Sequence, residues 1–147
     1  MRHIPKKRFG QNFLHDPDII RSLVAAIRPQ PDDLMVEIGP GLGALTQPLL
    51  RALDHLHVVE LDRDIISWMQ GHYPADKITI HSSDALKFDF TALGNHLRVV
   101  GNLPYNISTP ILFHLLDNVA VIVCLRVQRE IHALARLGAA PPAGAYG

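Results

Sequence analysis

Apolar residues along the chain fall into short runs separated by polar, helix-spaced segments. The runs predict strands at residues 34–38, 55–61, 77–80, 97–101 and 119–125. Segments with helical spacing or capping residues lie between most of them. This alternation of strand and helix predicts one α/β domain with a doubly wound, mostly parallel sheet. The loops that follow the first four strands are then expected along one edge, where such sheets bind ligands.

Capping residues mark the predicted helices. Asp16 and Pro17 are expected to be the N-cap and the first position of a helix that runs through residue 27, and Asp62 is expected to cap the helix after strand two. Further helices are predicted from residue 44, after Ser108 or Thr109 through residue 116, and at residues 127–137. Residues 138–147 contain turn-forming residues among alanines and are interpreted as a loop or tail.

The first predicted strand runs directly into three alternate glycines, Gly39, Gly41 and Gly43. Residues without a side chain let the backbone approach a ligand closely, and a following helix offers free N–H groups. The spacing is G-x-G-x-G, because Thr46 stands where a dinucleotide fingerprint would have its last glycine. This favours an adenosyl ligand without a pyrophosphate, although the loop alone is a weak signal.

Two acidic residues follow the next two strands. Glu60 ends strand two, where a carboxylate accepts hydrogen bonds from both hydroxyls of a ribose; otherwise it is a solvated acid at a strand end. Asp84 follows strand three, where a carboxylate suits the exocyclic amine of adenine, but capping its own turn is equally expected. Together with the glycine loop, they favour a nucleoside site.

The end of strand four contains the segment Asn102, Leu103, Pro104 and Tyr105. Hydrogen bonds from an amino group to the Asn102 side-chain oxygen and the Leu103 carbonyl would localise the nitrogen lone pair and aim it at an electrophile. Tyr105 would stack on the base, which must then be flipped out or single-stranded. The structural alternative is a tight turn with a core tyrosine.

The amino-acid composition limits the partners that the protein is expected to bind. Fourteen basic and fourteen acidic residues give a formal net charge of zero, so attraction to nucleic acid must be local. The basic residues Arg2, Lys6, Lys7 and Arg8 form an arm suited to a phosphate backbone or, alternatively, a solvated tail. Cys124 is the only cysteine, no apolar run is long enough to span a membrane, and a cytoplasmic protein is expected.

Nine histidines raise the question of a metal site. His55 and His57 alternate on a predicted strand, and the others lack cysteine partners or helical i, i+4 pairing. No metal is therefore predicted.

In combination, these motifs resemble the KsgA/RsmA family of small-subunit ribosomal RNA adenine dimethyltransferases. The segments that carry the resemblance are 9–14 (FGQNFL), 37–43 (EIGPGLG), 59–62 (VELD), 84–85 (DA) and 102–109 (NLPYNIST). The resemblance implies a Rossmann-like class I methyltransferase that uses S-adenosylmethionine to dimethylate N6 of two adjacent adenines in small-subunit ribosomal RNA, as part of ribosome biogenesis.

The resemblance also implies roles for individual residues. Asn12 and Leu14 would contact the methionine end of the cofactor, and Gly39 and Gly41 its loop side. Glu60 would bind the ribose and Asp84 the adenine. The target amine would lie against residues 102–105, of which Asn102 also belongs to the cofactor site.

Residues 118–147 are expected to depart from the family, whose members continue through further strands and a helical domain. The chain is accordingly interpreted as one domain truncated before the last strands, with residues 1–15 as a basic arm and cofactor-covering loop. One alternative is a catalytically silent RNA-binding or ribosome-assembly module. Another is a large-subunit methylase of the macrolide-resistance type, against which Leu103 argues.

Overall fold

The computed structural model of the 147-residue chain describes residues 16–94, 96–103, 110–111, 113–115, 121–127 and 130–137. For residues 102, 121–127 and 130–137 the description is of the backbone. The described strands are β1 (Met35–Ile38), β2 (Leu56–Glu60), β3 (Ile78–Ser82), β4 (Leu97–Asn102), β5 (Val121–Val127) and β6 (Glu130–Leu137). The helices are α1 (Pro17–Ile27), α2 (Thr46–Ala52), α3 (Arg63–His72) and a 3-10 helix (Phe90–Leu93), and residues 110–111 and 113–115 are also helical.

The strands form one sheet in the order β3-β2-β1-β4-β5-β6. The first five are parallel, and β6 runs antiparallel to β5. β1 is central, because Val36 lies opposite His57 on one side and Val99 on the other. The strand order reverses between β1 and β4, which is the point where doubly wound sheets open a crevice for ligands. The predicted Rossmann-like fold is confirmed.

Side chains pack on both faces of the sheet. On one face, α1, α2 and α3 contribute one hydrophobic cluster, in which Leu23, Leu49 and Ile65 pack with Met35 and other strand residues. On the other face, the 3-10 helix and residues 111 and 115 pack on Val36, Val59 and Val99. Two covered faces explain why the central strands are apolar at nearly every position.

Both predicted N-caps form. The Asp16 carboxylate accepts a hydrogen bond from Asp18 N at 2.9 Å, and Asp62 Oδ1 accepts one from Asp64 N at 2.8 Å. These bonds satisfy backbone N–H groups that have no partner inside the helix. Helix starts with such local signals were therefore predicted to within a residue.

Some predicted boundaries differ from the structure. The second helix begins at Thr46 and not at residue 44, β3 continues to Ser82, and β5 lies two residues later than expected. No 3-10 helix was predicted over Phe90–Leu93, where the Asp89 carboxylate caps Thr91 N at 3.0 Å.

The helix predicted at residues 127–137 is wrong, because most of this segment forms β6 along the edge of β5. Ile131, Ala133, Ala135 and Leu137 occupy alternate positions, a spacing typical of a strand and not of a helix. Pairing with β5 supplies hydrogen bonds that an edge strand would otherwise lack.

No helix within the described ranges combines the length and the apolar character needed to cross a bilayer.

Arg98 ties the start of β4 to the end of α1. Its guanidinium donates to Asp33 Oδ2 at 2.8 Å and to Arg28 O at 3.2 Å, and it also donates to Ile27 O. The side chains of Arg98 and Asp33 are mostly buried. Since carbonyls at a helix C-terminus have no intrahelical partner, this guanidinium holds α1 against the sheet.

Replacing Arg98 with alanine is expected to lower the free energy of unfolding by about 2–3 kcal/mol, because Asp33 and the α1 carbonyls lose a charged donor in a mostly buried site. Arg21→Ala is the matched control, since the Arg21–Asp18 ion pair is solvent-exposed and should change stability by under about 0.5 kcal/mol. Urea titration followed by circular dichroism measures both. Equal losses in the two variants would contradict the role of Arg98.

Candidate active site

The loops after β1, β2, β3 and β4 meet at the carboxyl edge of the sheet. In chain order, this edge carries Gly39 to Gly43, Glu60 as the last residue of β2, Asp84 and Leu103. Because β1 lies between β2 and β4, the glycine loop has Glu60 on one side and the end of β4 on the other. The fold thus brings the described members of the sequence-predicted site to one edge.

The glycine loop has a backbone that other residues rarely adopt. Gly39, Gly41 and Gly43 have φ angles of +63°, +57° and +84°. Gly39 N donates to Val59 O at 3.1 Å, which fixes the start of the loop to β2. A Cβ on Gly39 would lie 3.3 Å from Leu103 Cδ2, so the loop also packs closely against the end of β4.

Glu60 is a buried carboxyl group with one satisfied oxygen. It is 4% exposed, and its Oε2 accepts hydrogen bonds from Leu61 N at 2.8 Å and Asp62 N at 2.9 Å. Its Oε1 is buried and has no hydrogen-bond partner among the described residues. Burial raises the pKa of Glu60, against the opposing effect of the two backbone N–H donors. An orphan buried acceptor of this kind is costly, and a ligand hydroxyl would satisfy it.

Asp84 lies in the turn after β3 and is half-buried. Its Oδ1 accepts from Leu86 N at 3.0 Å, and its carbonyl accepts from Lys87 N and Phe88 N. The turn-capping interpretation of Asp84 is therefore realised. A role toward adenine stays a prediction.

The end of β4 carries the other candidate residues. Asn102 is the last residue of β4, paired in register with Arg126, and Leu103 is 7% exposed against Gly39 and Gly101. Asn12, Leu14, Pro104 and Tyr105, together with the basic arm, lie outside the described residues.

Sequence reasoning missed a role for Glu37, which belongs to β1. Glu37 is 2% exposed, and Thr46 donates its hydroxyl to Glu37 Oε1 at 2.5 Å. Burial raises the pKa of Glu37 to about 7, the Thr46 hydrogen bond lowers it, and the nearby charge of Glu60 raises it. The available signal was an acid inside a strand that is otherwise apolar.

Three histidines lie close together, with His55 just before β2, His57 on β2 and His81 on β3. His57 Nδ1 lies 3.0 Å from His81 Nε2, and His55 Nε2 lies 2.7 Å from Thr79 Oγ1. Burial lowers the pKa values of His57 and His81, so the neutral imidazoles are favoured. Within the described part of the chain, no group of three or more potential ligands is arranged to hold a metal ion.

The sequence of the chain is similar to those of known proteins. Residues 2–146 match the family model for ribosomal RNA adenine dimethylase. The "Ribosomal RNA small subunit methyltransferase A" of Methylobacillus flagellatus is 67% identical over 147 residues, which is all of this chain and 58% of the relative's length. The family match extends through most of residues 118–147, the segment expected to depart from the family.

Solved structures share the fold. The 23S rRNA methyltransferase ErmE superposes with a TM-score of 0.66 at 24% identity, over 78% of this chain and 47% of that one. A dimethyladenosine transferase from Plasmodium falciparum gives a TM-score of 0.63 at 24% identity, over 78% and 43%. The chain spans a little over half the length of the Methylobacillus relative, and it belongs to the ribosomal RNA adenine dimethylase family.

Proposed function

We propose that this chain binds S-adenosylmethionine and transfers its methyl group to N6 of two adjacent adenines in small-subunit ribosomal RNA. Support comes from the family and from the name of the Methylobacillus relative, a ribosomal RNA small subunit methyltransferase. Because the chain covers 58% of that relative, the activity, the RNA substrate and a cytoplasmic role in ribosome biogenesis are assigned by analogy.

The observation that carries the proposal is the orphan Oε1 atom of Glu60. Two backbone N–H groups hold Oε2 and orient the carboxyl group, while Oε1 is left without a partner at the end of β2, the strand next to the one that leads into the glycine loop. A ribose presents two adjacent hydroxyl donors, which a carboxylate at the end of β2 accepts in nucleoside-binding sheets. The residues present therefore fit the nucleoside part of the cofactor.

The glycine loop fits the rest of the cofactor. The positive φ angles at Gly39 and Gly41 favour glycine, which has no side chain, so a ligand can approach the backbone. We assign Asn12 and Leu14 to the methionine end, Asp84 to the adenine, and Asn102 to the boundary between cofactor and target. Asp84 stands at the next loop along the same edge.

The chemistry needs positioning more than proton transfer. The bound cofactor supplies a methyl group on a sulfonium, which is already activated for displacement. We assign acceptance of the two amine N–H groups to Asn102 and the Leu103 carbonyl, which directs the nitrogen lone pair toward the methyl carbon. Leu103 packs on Gly39, so the target amine would lie next to the cofactor loop. Pro104 and Tyr105 are assigned to holding and stacking the flipped base.

Glu60→Gln is expected to weaken S-adenosylmethionine binding about 10-fold to 100-fold, because the ribose hydroxyls lose a charged acceptor worth about 1.5–3 kcal/mol. Isothermal calorimetry measures the affinity. Asp54→Asn is the control, since Asp54 is exposed at the opposite end of β2 and should leave the affinity unchanged. Wild-type affinity in Glu60→Gln would contradict the ribose assignment.

Asn102→Ala is expected to reduce methyl transfer at least about 100-fold, because the target amine is no longer oriented, while much of the cofactor affinity is retained. The assay follows labelled methyl groups into small ribosomal subunits that lack the modification, with large-subunit RNA as the comparison. Equal losses of transfer and affinity would contradict the role of Asn102. Cofactor binding without transfer to either RNA would favour a silent RNA-binding module.

A further inference from the structure

Glu37 places an ionisable group in the centre of the sheet. In the register of the parallel strands, it lies opposite Val58 of β2 and Val100 of β4, both of which are buried. It is also two residues before Gly39, the first residue of the glycine loop. A carboxyl group in such surroundings is costly as an anion unless neighbouring groups compensate for the lost hydration.

Thr46 connects this carboxyl group to the far side of the loop. Its hydroxyl, which is fully buried in the first turn of α2, donates to Glu37 Oε1 at 2.5 Å. Glu37 precedes the loop and Thr46 follows it, so one side-chain hydrogen bond closes the loop at its base. A change in this hydrogen bond would therefore shift the backbone of Gly39 to Gly43.

Tyr73 packs against Gly43, the last glycine of the loop. A Cβ on Gly43 would overlap the Tyr73 hydroxyl oxygen and lie 3.4 Å from a ring carbon of Trp68, so the loop packs directly on these two side chains. Burial raises the pKa of Tyr73, and the negative charge of Glu37 raises it further.

Burial and the charge of Glu60 from β2 favour the neutral form of Glu37, whereas the hydrogen bond that Thr46 donates from α2 favours the carboxylate. The pKa of about 7 means that a nearby positive charge changes the protonation of Glu37 at neutral pH. S-adenosylmethionine carries a sulfonium cation, so its binding at the loop would stabilise the carboxylate.

We propose that Glu37, Thr46 and Tyr73 form a buried anchor that positions the glycine loop and couples binding of the cationic cofactor to loss of a proton from Glu37. The carboxyl O–H bond breaks, the proton passes to solvent, and the carboxylate remains beneath the loop. The coupling rests on the proposed function, whereas the anchor is a property of the chain without ligand.

The first experiment, without ligand, compares the unfolding of wild type and Glu37→Gln between pH 5 and pH 8. The folded pKa lies above the unfolded value, so the folded state binds its proton more tightly, and wild-type stability falls as pH rises from about 4.5 through 7. The unfolding constant of wild type relative to Glu37→Gln should rise about 40-fold from pH 5 to pH 7.

Asp54→Asn is the control for this experiment, since it removes an exposed carboxylate and should show no comparable rise. A pH-independent ratio between wild type and Glu37→Gln would overturn the anchor, whatever the chain binds.

The second experiment counts the protons released when the ligand binds. Calorimetric titration of the full chain with S-adenosylmethionine at pH 7, in buffers of different ionisation enthalpy, should report release of about half a proton in wild type and none in Glu37→Gln. S-adenosylhomocysteine lacks the sulfonium charge and should release less. Equal release by wild type and Glu37→Gln would overturn the coupling.

Failure of the ligand to bind at all would contradict the proposed function and the coupling, while the unfolding data would still decide the anchor.

Thr46→Val separates coupling from simple structural support. Loss of the Thr46 hydroxyl removes the bond that lowers the pKa of Glu37, so proton release at pH 7 should rise from about one half toward one. Tyr73→Phe should leave the count within about 0.2 of wild type and weaken binding by loosening the loop. A merely structural Thr46 would change stability and leave the proton count unmoved, which would contradict the anchor.

Discussion

Two carboxyl groups buried beside a loop with positive φ angles constrain the rest of this structure. Glu37 lies beneath the loop and Glu60 beside it, and both are almost fully withdrawn from solvent. Withdrawing two carboxylates from water opposes folding. Burial raises the pKa of both groups, and the nearby charge of Glu60 raises the pKa of Glu37 further. Their presence is understandable if a polar, positively charged ligand completes the site.

The remaining architecture supports this edge of the sheet. Hydrophobic clusters cover both faces, and Leu103 carries one of them directly to the glycine loop. The Asp62 cap fixes the start of α3 at this edge, and Arg98 fixes the start of β4 at the opposite edge. Because the strands are parallel, their carboxyl ends come together without any local sequence signal beyond the order of strands and helices.

Predictions from sequence succeeded where the deciding interactions are local. The apolar runs gave β1, β2 and β4 to within a residue or two, and Asp16 and Asp62 marked helix starts because capping depends on neighbouring residues. The strand at Glu130–Leu137 was missed because its pairing with β5, and not its own propensity, decides its conformation.

Prediction of the site was partial for the same reason. The glycine spacing and the acid at the end of β2 pointed to Gly39, Gly41 and Glu60. The bond from Thr46 to Glu37 and the contact of Tyr73 with Gly43 join separate elements, so the spacing of residues along the sequence does not predict them. The sequence alone does not separate the two roles considered for Asp84, because the same residue caps its own turn and lies at the carboxyl edge of the sheet.

We propose that Glu60 presents its unsatisfied oxygen to the ribose of S-adenosylmethionine. A crystal structure of the full chain grown with S-adenosylmethionine tests this role most directly. We expect both ribose hydroxyls within hydrogen-bond distance of the Glu60 carboxylate, with the methionine part along Gly39 to Gly43. A cofactor bound elsewhere, or a ribose held by other groups while Glu60 Oε1 stays unpartnered, would contradict it.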